Sequence, residues 1–388
     1  MAPSPVASAS ASASASASAS ASVGAPAGGT DEVIRRVEGS VGRLTLNRPK
    51  AINALTHAMV LAMTEALADW ATDDSITCVL VDGAGERGLC AGGDVRAFYR
   101  DARSGGTGSI DFWADEYRLN AFIARYPKPY VALMDGLVMG GGVGISAHGS
   151  VRVVTERSRI AMPETGIGLV PDVGGTWLLS RMPGQTGTHA ALTAGTLSAA
   201  DALTGGLADH LVPAGRLPEL VDLLVTGTSP TDAVAKLAVP AGEGGLAAAR
   251  GWIDACYAAD TVEEILGRLR AHGDPAAAAA ADEIAAKSPT ALTVTLTALR
   301  RAAGLADLAA ALVSEFRVSV ACLRHHDLAE GIRAQIIDKD RSPRWAPSSL
   351  ADVDDALVAT FFATPAGGDL DLDLDTRGRQ PAPGGGPR

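Results

Sequence analysis

The sequence lacks the features of a zinc protein, a membrane protein and a nucleic-acid-binding protein. Its four cysteines, at positions 78, 90, 256 and 322, form no C-x-x-C pair, and no histidine is placed to complete a metal site. No apolar run reaches the roughly 18 residues of a membrane span. The net charge of -11 is opposite in sign to a typical nucleic-acid-binding surface. We therefore expect no metal, no membrane association and no nucleic-acid partner, and reduced thiols in a cytoplasmic protein.

Several catalytic and cofactor motifs are also missing. Gly140, Gly142 and Gly144 do not fit G-x-G-x-x-G in order, and no P-loop occurs. Ser146 stands in "GISAHG", which is one residue too long for the G-x-S-x-G nucleophile motif. There is no H-E-x-x-H. These absences disfavour redox, kinase-like and zinc chemistry, and we expect no cofactor.

The two ends of the chain have a biased composition. Residues 1–30 form an Ala/Ser-rich arm without large apolar side chains, which predicts disorder. Residues 363–388 carry alternating aspartates and a Pro/Gly-rich end, and we predict a disordered acidic tail. With 47% hydrophobic residues, the chain between them can bury a full core.

Regular patterns fill the middle of the chain. "GRLTLNRP", "ITCVLVDGAG" and "YPKPYVALMDG" have the pattern of strands, and "NALTHAMVLAMTEALADWATD" repeats apolar residues at helical spacing. This alternation predicts an α/β core over residues 31–225, with binding groups on the loops at the strand ends. Residues 226–362 contain helix-like segments such as "TVEEILGRLRAHG", and we expect a helical C-terminal region there.

Glycine-rich turns follow two consecutive predicted strands. "LCAGGDVRAF" and "MGGGVGIS" each lead from a strand into a helix, where backbone N–H groups favour a negative charge. Two such groups aimed at one point would stabilise an oxyanion, and one donor of this kind is worth about 2.7–4 kcal/mol. Glycine suits this task because a Cβ would block a ligand carbonyl. The alternative is two ordinary tight turns, with Asp94 as a helix cap.

Two carboxylates follow in "IAMPETGIGLVPDVGG". Glu164 and Asp172 each come after a proline in an apolar setting, which raises a carboxyl pKa. Groups held in this way suit general acid–base or nucleophilic catalysis. The alternative is that either residue caps a helix.

These segments resemble the crotonase (enoyl-CoA hydratase/isomerase) superfamily. The resemblance rests on "GRLTLNRPKAINAL", "CAGGDVR", "KPYVALMDGLVMGGGVGIS" and "MPETGIGLVPDVGGTWLLSR". A distal block that ends in "RSPRW" is similar to that of the 3-hydroxyisobutyryl-CoA hydrolases within it, so the resemblance covers about residues 42–345. It implies a crotonase-like core of ββα units, an acyl-CoA substrate, no metal or redox cofactor, and association as a homo-oligomer.

The resemblance also implies roles for individual residues. The thioester oxygen would lie between the backbone N–H groups of Ala91 and Gly141, and Glu116 in "DEYRLNAFI" would contact the substrate hydroxyl. Lys50 would contact a phosphate, unless it is only a solvated surface lysine. Further substrate-binding positions are Gly92, Gly93, Asp94 and Gly140.

The position of Gly144 bears on the reaction. Hydratases of the superfamily have a second glutamate there, so its absence disfavours water addition by two glutamates. Thioester hydrolysis by Glu164 and Asp172 remains, with 3-hydroxyisobutyryl-CoA of valine catabolism as the implied substrate. Glu164 would attack the carbonyl or activate a water, and Asp172 would orient that water or the acyl group. The alternatives are an enoyl-CoA hydratase or isomerase, and a non-catalytic acyl-CoA-binding protein.

Overall fold

The computed structural model describes residues 31–372, so the predictions for residues 1–30 and 373–388 lie outside the described residues. The strands in this part of the chain are β1 (Val33–Glu38), β2 (Val41–Leu46), β3 (Cys78–Gly83), β4 (Tyr130–Met134), β5 (Leu137–Met139), β6 (Val151–Val154), β7 (Arg159–Ala161), β8 (Thr196–Leu197) and β9 (His210–Leu211).

Sixteen α-helices occur in the same residues. They are α1 (His57–Ala71), α2 (Val95–Ser104), α3 (Gly108–Ala124), α4 (Gly141–Gly144), α5 (Gly175–Leu179), α6 (Thr186–Thr193), α7 (Ala199–Thr204), α8 (Leu217–Val225), α9 (Pro230–Leu237), α10 (Gly245–Tyr257), α11 (Val262–Ala271), α12 (Pro275–Ala285), α13 (Pro289–Ala302), α14 (Leu308–Arg324), α15 (His326–Ile332) and α16 (Asp355–Phe361). A 3-10 turn, Glu164–Ile167, follows β7.

The main sheet has six strands in the order β1-β2-β3-β4-β6-β9. β1 pairs with β2 in antiparallel fashion, and the other neighbouring pairs are parallel. β5, β7 and β8 form a second, smaller sheet. No strand follows β9 in the described part of the chain, which confirms the predicted α/β class with a helical C-terminal region.

The central strands are buried on both faces. Along β3, Val79 and Val81 belong to the main hydrophobic core, whereas Cys78 and Leu80 pack with α8 and α9 on the opposite face. A parallel sheet that is covered on both faces selects a nearly continuous apolar run, which is what "ITCVLVDG" shows. The predicted strand is confirmed.

The C-terminal helices extend the main core. α10, α11 and α12 pack with α13 around a smaller apolar cluster of their own. By contrast, Leu312, Phe316 and Leu323 of α14 belong to the main core, together with Tyr117 of α3. The change near residue 225 is therefore a change of secondary structure within one packed body, because the main core crosses it.

The predicted disorder of the C-terminal tail is wrong for residues 363–372. Leu370 is 5% exposed and belongs to the main core. Asp369 pairs with Arg317 of α14 through two contacts of 2.6 Å, and the Arg118 side chain donates to the Asp371 carbonyl at 3.1 Å. The alternating pattern that resembled a solvated tail places leucine against apolar helices and aspartate beside arginine.

Candidate active site

The two glycine turns lie side by side. The Cys90 N–H donates to the Leu137 carbonyl at 3.1 Å, and the Met139 N–H donates back to the Cys90 carbonyl at 2.9 Å. A Cβ on Gly92 would lie 3.3 Å from the Met139 oxygen and 3.7 Å from the Gly141 nitrogen. The structure thus brings together the two turns that the sequence singled out, and glycine at position 92 permits their close approach.

The structure corrects which amide of the first turn is free. The Ala91 N–H donates to the Ile52 carbonyl at 2.9 Å, so the prediction that Ala91 supplies a donor to the substrate is wrong. In residues 31–372, nothing accepts a hydrogen bond from the N–H of Gly93 or of Gly141. The Gly93 nitrogen is 3.5 Å from the point where a Cβ on Gly141 would lie. The backbone turns between Ala91 and Gly93, at Gly92 with a φ of 99°, and sequence spacing does not reveal which amide then faces the cavity.

Asp94 caps a helix, as the alternative interpretation of the sequence predicted. Its carboxylate accepts from the Arg96 N–H at 3.3 Å and thereby caps α2, and it pairs with Arg48 at 3.2 Å. It also lines the cavity in front of the turns. Asp94 therefore stabilises the N-terminus of α2, whose first residues line the cavity.

Gly140 makes room for a carboxylate. Its φ of 47° and ψ of -117° lie where other residues are strained, and a Cβ there would come within 2.8 Å of Glu164 Oε1. Because no side chain is present, Glu164 can lie directly against the second glycine turn.

Three carboxylates meet in one cavity of about 650 Å³. Glu116 comes from α3, Glu164 from the 3-10 turn after β7 and Asp172 from the following loop, and their exposed fractions are 2%, 5% and 5%. Glu116 Oε1 and Glu164 Oε2 have no hydrogen-bond partner among the described residues. Asp172 Oδ2 accepts from the Tyr117 hydroxyl at 2.8 Å. Two unpartnered carboxylate oxygens are thus available to a ligand.

Burial changes the ionisation of all three acids. Desolvation, followed by the charge of Asp172, raises the pKa values of Glu164 and Glu116 well above the usual range. Desolvation also raises the pKa of Asp172, but only to about 6, because the hydrogen bond from Tyr117 favours its charged form. Asp172 therefore ionises first, and Glu164 keeps a proton to higher pH and is a strong base once it has lost it.

The space beside Gly144 is occupied. A Cβ at this position would lie 2.6 Å from the Val173 Cβ and 2.9 Å from the Asn120 Nδ2. Helix α3 therefore packs against the glycine face of α4, with Glu116 beside Gly141 and Asn120 beside Gly144. The second glutamate of the cavity, Glu116, comes from α3 and not from α4.

The cavity lining includes residues that sequence reasoning missed. Its basic side chains are Arg48, Arg96 and Lys287, and Gln335 and Ile336 complete the wall from the C-terminal region. Lys50, which the resemblance suggested as a phosphate contact, is exposed and does not line the cavity. Arg48 was within reach of sequence reasoning because it is the arginine of the "NRPK" motif. The local sequence around Lys287 does not indicate that it lines this cavity, because it is far along the chain from the glycine turns.

The arrangement suits acyl transfer. The free N–H groups of Gly93 and Gly141 lie in the same cavity as Glu164 and Asp172. Arg96 and Lys287 line that cavity and have no ion-pair partner among the described residues. Within residues 31–372, no three or more His, Cys, Asp or Glu side chains are grouped so that they could hold a metal ion, and no helix is long and apolar enough to cross a membrane.

The chain belongs to the enoyl-CoA hydratase/isomerase family, whose model matches residues 41–362. Within that family it is 41% identical over 351 residues to the mitochondrial 3-hydroxyisobutyryl-CoA hydrolase of Gallus gallus, which covers 88% of this chain and 91% of the relative. The Homo sapiens protein of the same name is 37% identical over 350 residues, or 88% of this chain and 90% of the relative. The family predicted from the sequence is confirmed.

Solved structures confirm the crotonase-like fold. One, described as a carnitinyl-CoA dehydratase from Mycobacterium thermoresistibile, is 54% identical with a TM-score of 0.86, and the match covers 89% of this chain and all of that one. Another, described as an enoyl-CoA hydratase from Rhodobacter sphaeroides 2.4.1, is 42% identical with a TM-score of 0.82 and covers 88% of this chain and 100% of that one.

Proposed function

We propose that the protein hydrolyses a short hydroxyacyl-CoA thioester, foremost 3-hydroxyisobutyryl-CoA, to the hydroxy acid and coenzyme A. The observation that carries this proposal is the pairing of Glu164 and Asp172 in one cavity while the space beside Gly144 is filled by neighbouring side chains. The names of the relatives from Gallus gallus and Homo sapiens support the substrate. The step belongs to valine catabolism.

The substrate binds along the two turns. The thioester oxygen accepts hydrogen bonds from the N–H groups of Gly93 and Gly141, which stabilise the negative charge that develops on it. The substrate hydroxyl donates to the unpartnered Oε1 of Glu116. The phosphates of the coenzyme lie at the entrance beside Arg96 and Lys287, neither of which forms an ion pair with another described residue within 4 Å.

Glu164 performs the bond-breaking chemistry by one of two routes. As a general base it removes a proton from water while the water oxygen adds to the carbonyl carbon. The C–S bond then breaks, and protonated Glu164 returns the proton to the departing thiolate. As a nucleophile it adds to the carbonyl carbon, and the C–S bond breaks to release the thiolate and leave a mixed anhydride. Water then cleaves the anhydride to the hydroxy acid and the free Glu164 carboxylate, and the proton that this water loses neutralises the thiolate. In both routes Asp172 is ionised and orients the water or the acyl group.

A hydratase function is the second candidate, because the two similar solved structures are described as a dehydratase and a hydratase. Reversible water addition by the family's two-glutamate chemistry would need a carboxylate on α4. Gly144 has no space for one, since Val173 and Asn120 fill it. Hydrolysis is therefore favoured.

A thiol-release assay on the purified protein tests the proposal. We expect free coenzyme A from 3-hydroxyisobutyryl-CoA and 3-hydroxypropionyl-CoA, and little change in crotonyl-CoA or carnitinyl-CoA. Glu164→Gln should reduce thiol release by at least about 100-fold, whereas exposed Glu65→Gln should leave it unchanged. Hydration of crotonyl-CoA that is faster than thiol release, or near-normal turnover by Glu164→Gln, would overturn the assignment.

Location and assembly belong to the same proposal. We propose a cytoplasmic homo-oligomer for this chain, although its relatives are named as mitochondrial proteins. Fractionation of the native cells and light scattering on the purified protein test these two points.

A further inference from the structure

Helix α14 contacts the loop that carries Asp172. Glu315 and Ser319 are four residues apart on α14 and so lie on one face of it, and they are 2% and 0% exposed. Both side chains point toward the wall of the cavity, and neither lines it. A buried glutamate and a buried serine on the same face need partners, and both find them around Asp172.

Glu315 binds the backbone directly after Asp172. Its Oε2 accepts from the Gly174 N–H at 2.6 Å, and its Oε1 accepts from the Thr176 N–H at 2.8 Å and from the Thr176 hydroxyl. The loop makes a turn here that needs support, because Val173 has a φ of 53° and Gly174 a φ of 80°. One side chain from α14 thus satisfies the polar groups of this turn.

Ser319 completes a directed hydrogen-bond chain to Asp172. The Tyr117 hydroxyl is 2.8 Å from Asp172 Oδ2 and 2.8 Å from the Ser319 hydroxyl. Tyrosine has a single hydroxyl hydrogen, and ionised Asp172 can only accept. Tyr117 therefore donates to Asp172, and Ser319 donates to Tyr117.

We propose that Ser319 and Glu315 of α14 are positioning residues for Asp172, Ser319 by orienting the Tyr117 hydroxyl and Glu315 by fixing the loop backbone. The proposal rests on the proposed function in one respect, namely that Asp172 takes part in hydrolysis. The C-terminal region then contributes to the reaction through α14 as well as covering the core.

Several titratable groups surround Asp172. They are Glu116 and Tyr117 from α3, Glu164 from the 3-10 turn, and Glu315 and Cys322 from α14. Burial lowers the pKa of nearby His148, which bonds to the Val173 carbonyl at 2.8 Å, to about 4 and keeps it neutral. Among the described residues, the Tyr117 hydroxyl is the one side-chain donor to Asp172, so weakening that bond should be visible in the ionisation of Asp172.

A titration that needs no turnover provides the first test. Carbon-13 NMR of carboxyl-labelled aspartate, assigned with Asp172→Asn, would follow the pKa of Asp172 in the full chain. We expect Tyr117→Phe to raise this pKa by about one unit and Ser319→Ala to raise it less, in the same direction. The control is Ser314→Ala on the same helix. It removes a hydroxyl that has no hydrogen-bond partner among residues 31–372, and it should leave the titration unchanged. An unmoved Asp172 titration in folded Tyr117→Phe and Ser319→Ala would overturn the role of Ser319.

Kinetics provide the second test. Ser319→Ala should lower kcat for 3-hydroxyisobutyryl-CoA by up to about tenfold at nearly constant KM and move the acidic limb of the pH profile upward. Ser319→Cys should recover part of the loss. Glu315→Gln, and Thr176→Val in case the former does not fold, should lower kcat in the same way.

Failure of the proposed function and failure of the proposal about α14 would give different results. If the wild-type protein releases no thiol from any substrate, the proposed function fails, and the NMR titration still decides the role of Ser319. If the wild type hydrolyses the thioester but the α14 and Thr176 variants keep its kcat and pH profile, the proposal about α14 fails by itself.

Discussion

At the scale of single residues, the buried glutamates of the cavity destabilise the folded state as the pH rises. The folded state holds protons on Glu164 and Glu116 at a pH where the unfolded chain has released them, because burial raises their pKa values. The unfolded state then binds fewer protons, so the free energy of unfolding falls as pH rises through and above the ordinary range of glutamate. Each unit of raised pKa corresponds to about 1.4 kcal/mol once the pH exceeds the folded-state value.

The fall in the free energy of unfolding with rising pH leads to a stability prediction for Glu164→Gln. The variant should unfold at a higher temperature than the wild type at pH 8, and the difference should shrink toward about pH 3, below the ordinary pKa of glutamate, where the wild-type side chain is protonated in both states. Thermal denaturation across this pH range measures the difference. Glu65→Gln, at an exposed site, should give a flat difference, and a flat result for Glu164→Gln would contradict the role of burial.

Gly144 allows a prediction about packing. Gly144→Ala should destabilise the protein by about 1–3 kcal/mol, because its new methyl group would overlap Val173 and Asn120. Gly251→Ala is the matched control, since Gly251 lies inside α10 with no atom within 4 Å of its Cβ position, and it should stabilise by up to about 1 kcal/mol. Urea denaturation distinguishes the two signs. Equal effects of the two substitutions would contradict the tight contact at Gly144.

At the scale of elements, short sequence patterns predicted the helices, strands and turns that depend on local sequence alone. The strand β3 was predictable because burial on both faces selects a nearly continuous apolar run. The helix α1 was predictable because burial on one face selects apolar residues at helical spacing. The glycine turns were predictable because runs of glycine follow two predicted strands, and Glu164 and Asp172 were predictable because each follows a proline in an apolar segment. The free amide at Gly93 was not, because its direction depends on the φ of Gly92. The ordered segment 363–372 was missed because alternating aspartate and leucine indicates a strand, a tail or a docked segment equally well until its partners are known.

The docked tail leads to a prediction. Leu370→Ala should lower the free energy of unfolding by about 2 kcal/mol, because Leu370 is buried in the main core. Leu61→Ala, at a side chain that is 50% exposed, should change it by less than about 0.5 kcal/mol. Denaturant titration of both variants measures the contrast. If Leu370→Ala had no more effect than the control, residues 363–372 would not be part of the core.

At the scale of the whole molecule, an acidic protein has a cavity whose lining includes three basic side chains. The net charge of -11 would repel an anionic thioester, so the few cations around the cavity matter more than the total. Lys287 comes from the chain between α12 and α13, far in sequence from the glycine turns with which it lines the cavity. Sequence reasoning from the turns could therefore not find it, whereas Lys50 was close to a motif and yet lies outside the cavity.

The contrast between the two lysines is testable. Lys287→Ala should raise KM for 3-hydroxyisobutyryl-CoA about fivefold at unchanged kcat, which corresponds to the loss of about 1 kcal/mol from a partly exposed ion pair. Lys50→Ala should leave both constants unchanged. Steady-state kinetics at low salt measure the effect, which added salt should reduce. A larger increase of KM in Lys50→Ala would reverse the assignment of the entrance.

The hydrogen bond between Tyr117 and Ser319 joins residues that are 202 positions apart, and Glu315 reaches Gly174 across 141 positions. During synthesis, the glycine turns, Glu164 and Asp172 all leave the ribosome long before α14 does. A nascent chain can therefore form its sheet early and still lack the helix that holds Asp172 in place. A polypeptide that ends after Asp172 and before α14 begins at Leu308, whether from premature termination or from proteolysis, would contain every acid of the cavity and none of the α14 contacts that position Asp172.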